Sequence, residues 1–104
     1  MLTRIVRMVF TPEFVPTFLA LFELNSSKIR AFDGCEKLAL WVDDSHENIY
    51  YTHSHWVSKE HLNTYRKSGL FKSIWKETKQ GFADRPQAWS THSIMEIPPL
   101  KSEE

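Results

Sequence analysis

Apolar positions along the chain change their spacing several times, and each change marks an element. Residues 2 to 10 set Ile5, Val6, Val9 and Phe10 among Thr3, Arg4 and Arg7, a β-branched run of strand length that predicts a first strand. From Thr11 the spacing becomes helical: Thr11 stands at the N-cap, Pro12 at the first helical position, and Phe14, Phe18, Leu21, Phe22 and Leu24 recur along one side. Pro16 falls in the first turn, where its missing N–H is tolerated, and Asp33-Gly34 stops the helix near Phe32.

Cys35 to Val42 sets Leu38, Leu40 and Val42 against Lys37, Ala39 and Trp41, a second strand, and the polar run from Asp43 to Asn48 makes a hairpin loop into a third strand from Ile49 to Val57. Ser58 caps the next helix, with Glu60 in its first turn and Leu62, Tyr65 and Arg66 on one stripe until Gly69. A second helical piece places Phe71, Ile74, Trp75 and Thr78 together and stops at Gly81; after Arg85-Pro86, Gln87 to Ile97 predicts a fourth strand. The order β-α-β-β-α-β is that of an α+β, ferredoxin-like domain, a four-stranded antiparallel sheet with helices on one face. It spans residues 2–97, with a polar C-terminal tail over 98–104 that opens on Pro98-Pro99. The third strand carries bulk on both faces, Tyr50 and Trp56 on one, Ile49, Tyr51 and Val57 on the other. The face without helices therefore needs cover, and a second copy on a two-fold axis supplies it: a homodimer.

Composition narrows the partners. In 104 residues, 13 Lys and Arg balance 13 Asp and Glu, and the charges are interspersed, so no basic stripe exists to grip nucleic acid or an anionic membrane. No apolar run approaches the roughly 20 residues that cross a bilayer, and Arg4 and Arg7 interrupt the N-terminal run in a way a secretory signal does not tolerate. Cys35 stands alone, which excludes a disulfide or a thiolate zinc site within one chain and suits the cytoplasm. The unusual figure is 13% aromatic residues, more rings than a small core needs, and surplus rings line ligand cavities or subunit interfaces. Overall neutrality fits a small uncharged or weakly acidic ligand.

Trp56, a large ring on the helix-covered strand face, reads first as packing and second as a ring stacked on a ligand, while Tyr65 and Trp75 on inner helical stripes serve equally as core or as pocket wall; Tyr65 is the better donor to a bound phenol, because its O–H needs a partner. His53 and His55 share one strand face, a spacing that could offer two imidazoles to a metal with His92 as third, but they lie opposite Trp56, and an interface or surface role without metal is the simpler reading. His61, in a first helical turn, could act as a base at the pocket mouth, while His46 sits in the solvated hairpin loop. Arg4, Arg7 and Arg30 could meet a ligand carboxylate or pair with Asp33 and Glu36. Cys35, just after Gly34, reads as a buried small hydrophobe.

The junction Phe32-Asp33-Gly34-Cys35, the run Trp56-Val57-Ser58-Lys59-Glu60, and then Leu62, Tyr65, Ser68, Phe71 and Trp75 resemble the antibiotic biosynthesis monooxygenase domain of the dimeric α+β barrel group, over about residues 2 to 95. The resemblance implies a cavity in each subunit between sheet and helices, where some relatives oxidise phenolic or quinone-like substrates with O₂ and without metal or flavin. An electron-rich aromatic anion can itself pass an electron to O₂, so the protein orients the ring, stabilises the phenolate and excludes water. In antibiotic-forming relatives an Asn and a Trp on this strand and a Tyr on the next helix mark the site. Trp56 matches the Trp, Thr52 holds the Asn position, and Leu62 the Tyr position, with Tyr65 nearly one turn on. In haem-degrading relatives the Asn, Trp and iron-ligating His positions hold Val6, Tyr65 and Trp75 here. Quorum-signal-processing and quinol-oxidising relatives place His where Tyr65 and Leu70 stand.

The resemblance thus implies a catalytic set of Trp56, Tyr65, Thr52 and His61, walls from Phe22, Phe71 and Trp75, a small aromatic molecule and O₂ as reactants, and no cofactor. A non-catalytic barrel that binds a small molecule is the alternative, and the polarity of the pocket separates the two.

Overall fold

The computed structural model describes residues 1–100. Its centre is β1 (Leu2–Val9), which pairs antiparallel on one side with β3 (Ile49–Trp56) and on the other with β4 (Gln87–Thr91), while β2 (Cys35–Val42) pairs with β3, giving the order β2-β3-β1-β4. Three helices cover one face: α1 (Val15–Arg30), α2 (Lys59–Arg66) and α3 (Gly69–Thr78). The α+β, ferredoxin-like arrangement with an open antiparallel sheet is as the element order predicts.

Several boundaries differ for physical reasons. Pro12 to Phe14 form a separate 3₁₀ turn, and α1 starts only at Val15, because Pro16 at its second position has no N–H to donate to the preceding turn and its ring crowds that turn's carbonyl. The stripe α1 turns inward is Phe18, Phe22, Asn25 and Ile29; Leu24, expected on it, is 72% exposed. The helix gives way at Ala31, and Phe32 makes an i→i−3 bond to Ile29. Ser68, not Gly69, divides the second helical region: its Oγ accepts the Phe71 N–H at 3.1 Å and donates to the Tyr65 carbonyl at 2.6 Å, closing α2 and opening α3 with one side chain. A 3₁₀ turn over Lys79–Gly81 follows α3. The fourth strand stops at Thr91 rather than Ile97: Thr91 pairs with Thr3, and only Leu2 of β1 lies beyond that pair. Of the expected tail, residues 101–104 lie outside the described residues.

Alternation along the strands sorts the two faces. Toward the helices, Leu2 and Met8 of β1 and Tyr50, Ser54 and Trp56 of β3 are buried. Two core clusters result, one around Leu2, Ile29, Cys35, Trp56, Leu62 and Tyr65, the other around Met8, Phe10, Phe18 and Tyr50. They are joined by a line of rings in successive contact: Phe32 to Tyr65 at 5.2 Å, Tyr65 to Phe71 at 5.3 Å, Phe71 to Trp75 at 5.7 Å, Trp75 to Phe82 at 5.4 Å, and Phe82 to Phe10 at 5.5 Å.

The opposite face carries no helix. Its register sets Trp89, Ile5, His53 and Ala39 in one row across all four strands. Trp41 and Trp89 are 45% and 44% exposed there, and the His53 ring stacks on Trp41 at 4.5 Å. Burial first, then the charges of His55 and Lys37, lowers the His53 pKa, which keeps the ring neutral in its stack. Arg30 and Arg7 have local partners: Arg30 Nη1 donates to the Cys35 carbonyl at 2.7 Å, and Arg7 Nη1 to Gln87 Oε1 at 3.5 Å. Cys35 is buried, and that burial raises its thiol pKa. His46 binds the Asp43 carboxylate that also accepts from Ser45 and Tyr51, and this network holds the hairpin loop.

Candidate functional site

A cavity of about 250 Å³ lies between sheet and helices and draws its walls from both core clusters. β1 contributes Arg4, Val6 and Met8, and β3 contributes Thr52, Ser54 and Trp56, each set spaced by two and so on one face. Phe18, Phe22 and Ile29 come from α1, Tyr65 and Arg66 from α2, and Phe71, Ile74, Trp75 and Thr78 from α3. Six of the seven residues expected at a site therefore meet here: Trp56, Tyr65, Thr52, Phe22, Phe71 and Trp75.

Trp56 is 1% exposed, and its indole N–H donates to Ser54 Oγ at 3.0 Å. Its ring stacks on Tyr65 with centroids 5.0 Å apart, so packing and pocket wall are one role here. Phe32 and Phe71 present their edges to Tyr65 from other sides, and this apolar setting lifts the Tyr65 phenol above its ordinary pKa, chiefly by desolvation and secondly through Cys35. The phenol keeps its proton throughout the neutral range and can only be a hydrogen-bond donor or a neutral acceptor. Among the described residues it makes no hydrogen bond, and neither does the Thr52 hydroxyl. Ser54 and Thr78 are already engaged, by Trp56 and by the Ile74 carbonyl at 2.8 Å. Two hydroxyls on the cavity wall thus remain free to meet a bound oxygen.

His61 is the exception. It lies over Gly34 at the start of α2, in a separate shallow depression with Asp33, Glu60 and Thr64, and lines no part of the aromatic cavity. The first turn of α2 faces the α1–β2 junction rather than the sheet, which the stripe of Leu62 and Tyr65 does not reveal. Its Nδ1 is 2.7 Å from Ser58 Oγ and its Nε2 3.7 Å from the Asp33 carboxylate. The three residue types suggest a nucleophile relay, but the Ser58 oxygen already accepts the His61 backbone N–H as a helix cap, and Asp33 is 94% exposed. The trio fixes the start of α2.

Ser54 and Arg66 were not singled out by the sequence as site residues. The period of two from Thr52 to Trp56 could have found Ser54; Arg66 shares the expected stripe with Leu62 and Tyr65, but a charged residue in a last helical turn carries no signal of its own for a cavity wall. Val6, Tyr65 and Trp75, the three positions that haem-degrading relatives use, do converge on this cavity, yet no histidine lines it, so an iron porphyrin would lack that axial ligand. His53 and His55 lie on the other face of the sheet, their rings 4.9 Å apart, and His92 is exposed beyond β4. No three His, Cys, Asp or Glu side chains among the described residues are grouped to hold a metal ion. No helix among them is long and apolar enough to cross a membrane.

Solved structures share this fold. One of an antibiotic biosynthesis monooxygenase superposes with a TM-score of 0.86 at 17% identity, covering 91% of this chain and 100% of the other. A protein from Mycobacterium tuberculosis gives 0.83 at 16% identity, covering 93% and 98%, and a conserved protein from Methanosarcina mazei Go1 gives 0.82 at 17%, covering 88% and 91%. At such identities the likeness is one of fold alone, and no curated protein matches the sequence. The sequence of residues 1–77 matches the model of a family described as antibiotic biosynthesis monooxygenase, and over that span lie β1 through most of α3, including every cavity residue of the first three strands and of α1 and α2: the chain belongs to the antibiotic biosynthesis monooxygenase family.

Proposed function

We propose that the cavity binds a small hydroxylated aromatic or quinone-like molecule and promotes its oxygenation by O₂ without a cofactor. The observation that carries this reading is Tyr65, a proton-holding phenol with no partner of its own, set among Trp56, Phe71 and the other rings of the cavity. Flat walls hold a flat substrate, and the Tyr65 O–H with the Thr52 hydroxyl meets its oxygen and favours the phenolate or enolate, the form able to give an electron to O₂. For an anthrone the balance closes without a reductant: the ring CH₂ becomes C=O with one atom of O₂, the other leaves as water with the two hydrogens, and the substrate supplies all four electrons.

The test is O₂ uptake with hydroxyquinols and anthrones, with and without protein. Protein-dependent uptake is expected, and Tyr65→Phe should lower kcat/KM about 30-fold, the worth of one hydrogen bond to a charged oxygen. Binding without uptake would leave a binding module in place of an oxygenase, and uptake indifferent to Tyr65→Phe would remove Tyr65 from the reaction.

We also infer a homodimer formed through the helix-free sheet face, supported by the half-exposed Trp41 and Trp89 on either side of Ile5. Sedimentation at micromolar concentration should give a dimer for the native chain and a folded monomer for Trp41→Glu. A native monomer would refute it. The lone thiol of Cys35, buried and with no second cysteine, suits a reducing compartment, and we infer the cytoplasm.

A further inference from the structure

The cavity carries charge of one sign. Two arginines line it, Arg4 of β1 and Arg66 in the last turn of α2, and among the described residues no aspartate, glutamate or lysine does. Among the described residues neither guanidinium pairs with a carboxylate; the ion pairs formed there involve His46 with Asp43 and His61 with Asp33. Arg4 Nη1 donates to Ser90 Oγ at 3.0 Å, a neutral partner that fixes the guanidinium without neutralising it. Burial and the nearby Arg66 charge both lower the Arg4 pKa, the mark of two cations facing one partly dry space. The chain has 13 acidic residues and a net charge of +0, and none of those among the described residues lines this cavity. Overall neutrality conceals a local excess of positive charge on the cavity wall.

We propose that the ligand is an aromatic carboxylate, its carboxylate held by Arg4 and Arg66 at the rim while Tyr65 and Thr52 meet a ring oxygen further in. The inference rests on the aromatic-ligand reading above and adds the charge. A guanidinium fork matches a planar two-oxygen group. A carboxylate continues the plane of its ring and enters a flat-walled cavity with it, whereas a tetrahedral phosphate or sulfonate stands out of that plane. Arg66 is exposed and Arg4 half-buried, so the pair grades from solvent into the cavity and can strip water from the anion in steps.

Isothermal titration calorimetry with 1-hydroxy-2-naphthoate and its neutral isostere 1-hydroxy-2-naphthamide separates ring from charge. The carboxylate is expected to bind about 10-fold more tightly at low ionic strength, the preference shrinking as salt is added. In the double variant Arg4→Gln/Arg66→Gln the ratio of the two dissociation constants should fall to about one. Because both compounds are titrated into the same variant, the ratio is independent of how much of the sample is folded. Equal binding of the two compounds by the native protein would overturn the carboxylate assignment and leave the aromatic cavity standing. A preference that survives in the double variant would overturn it too, and binding of neither compound would remove the aromatic reading together with it.

Discussion

Trp56→Ala should lower the unfolding free energy by about 4 kcal/mol, measured as the shift of a urea unfolding transition. The indole is among the largest fully buried side chains, and it touches both the sheet and, through Tyr65, the helical layer. Its removal adds a void to a cavity already present, so the neighbours have little to collapse upon, and Ser54 Oγ loses the N–H it accepts. Against a total of roughly 5–15 kcal/mol for a domain of this size, that is a loss of about a quarter or more of the stability. Trp56→Phe keeps most of the ring and should lose about 1.5 kcal/mol. A loss below about 2 kcal/mol for the alanine variant would mean that the helices close onto the sheet and that the cavity is compliant.

Gly34→Ala should lose about 3 kcal/mol, more than its single added methyl suggests. Gly34 has φ +89, a conformation that disfavours any side chain, and its carbonyl accepts the Val57 N–H at 2.8 Å, so the turn cannot relax without breaking the β2–β3 end of the sheet. A methyl there would overlap the His61 ring and its Cβ. Rotating the ring away does not help, since the Cβ is fixed to α2, and the Ser58 cap would have to be given up as well. The companion His61→Gly removes ring and Cβ alike, and Gly34→Ala made in that background should cost about half as much, leaving the φ penalty. An unchanged cost would place the whole effect in the backbone.

Most of the fold was legible because its local signals agree with its packing. The β-branched run of β1, the alternation of β2, Ser58 as a cap and Gly34 as a stop each name an element that forms. The face of β3 carrying Thr52 and Trp56 follows from the period of two, and the helical stripes bring Phe22, Tyr65, Phe71 and Trp75 to the same cavity, six of the seven expected site residues. What was not legible depends on partners distant in sequence. The end of β4 is set near the start of β1, with Thr91 paired to Thr3, 88 residues earlier, and no signal between Thr91 and Ile97 announces it. His61 faces Gly34 because of how α2 crosses the α1–β2 turn. That Arg4 and Arg66 line one cavity is invisible to a count of charges, since a balanced total is silent about where each charge stands.

The four tryptophans divide two and two. Trp56 and Trp75 belong to the cavity wall, and Trp41 and Trp89 to the helix-free face of the sheet. Indoles in a dry core emit at shorter wavelength than wetted ones, so the intrinsic fluorescence has two separable components, a blue one that an entering aromatic ligand quenches and a red one that moves when the outer face is covered. The protein thereby reports occupancy of its interior and contact at its exterior independently, with no label attached.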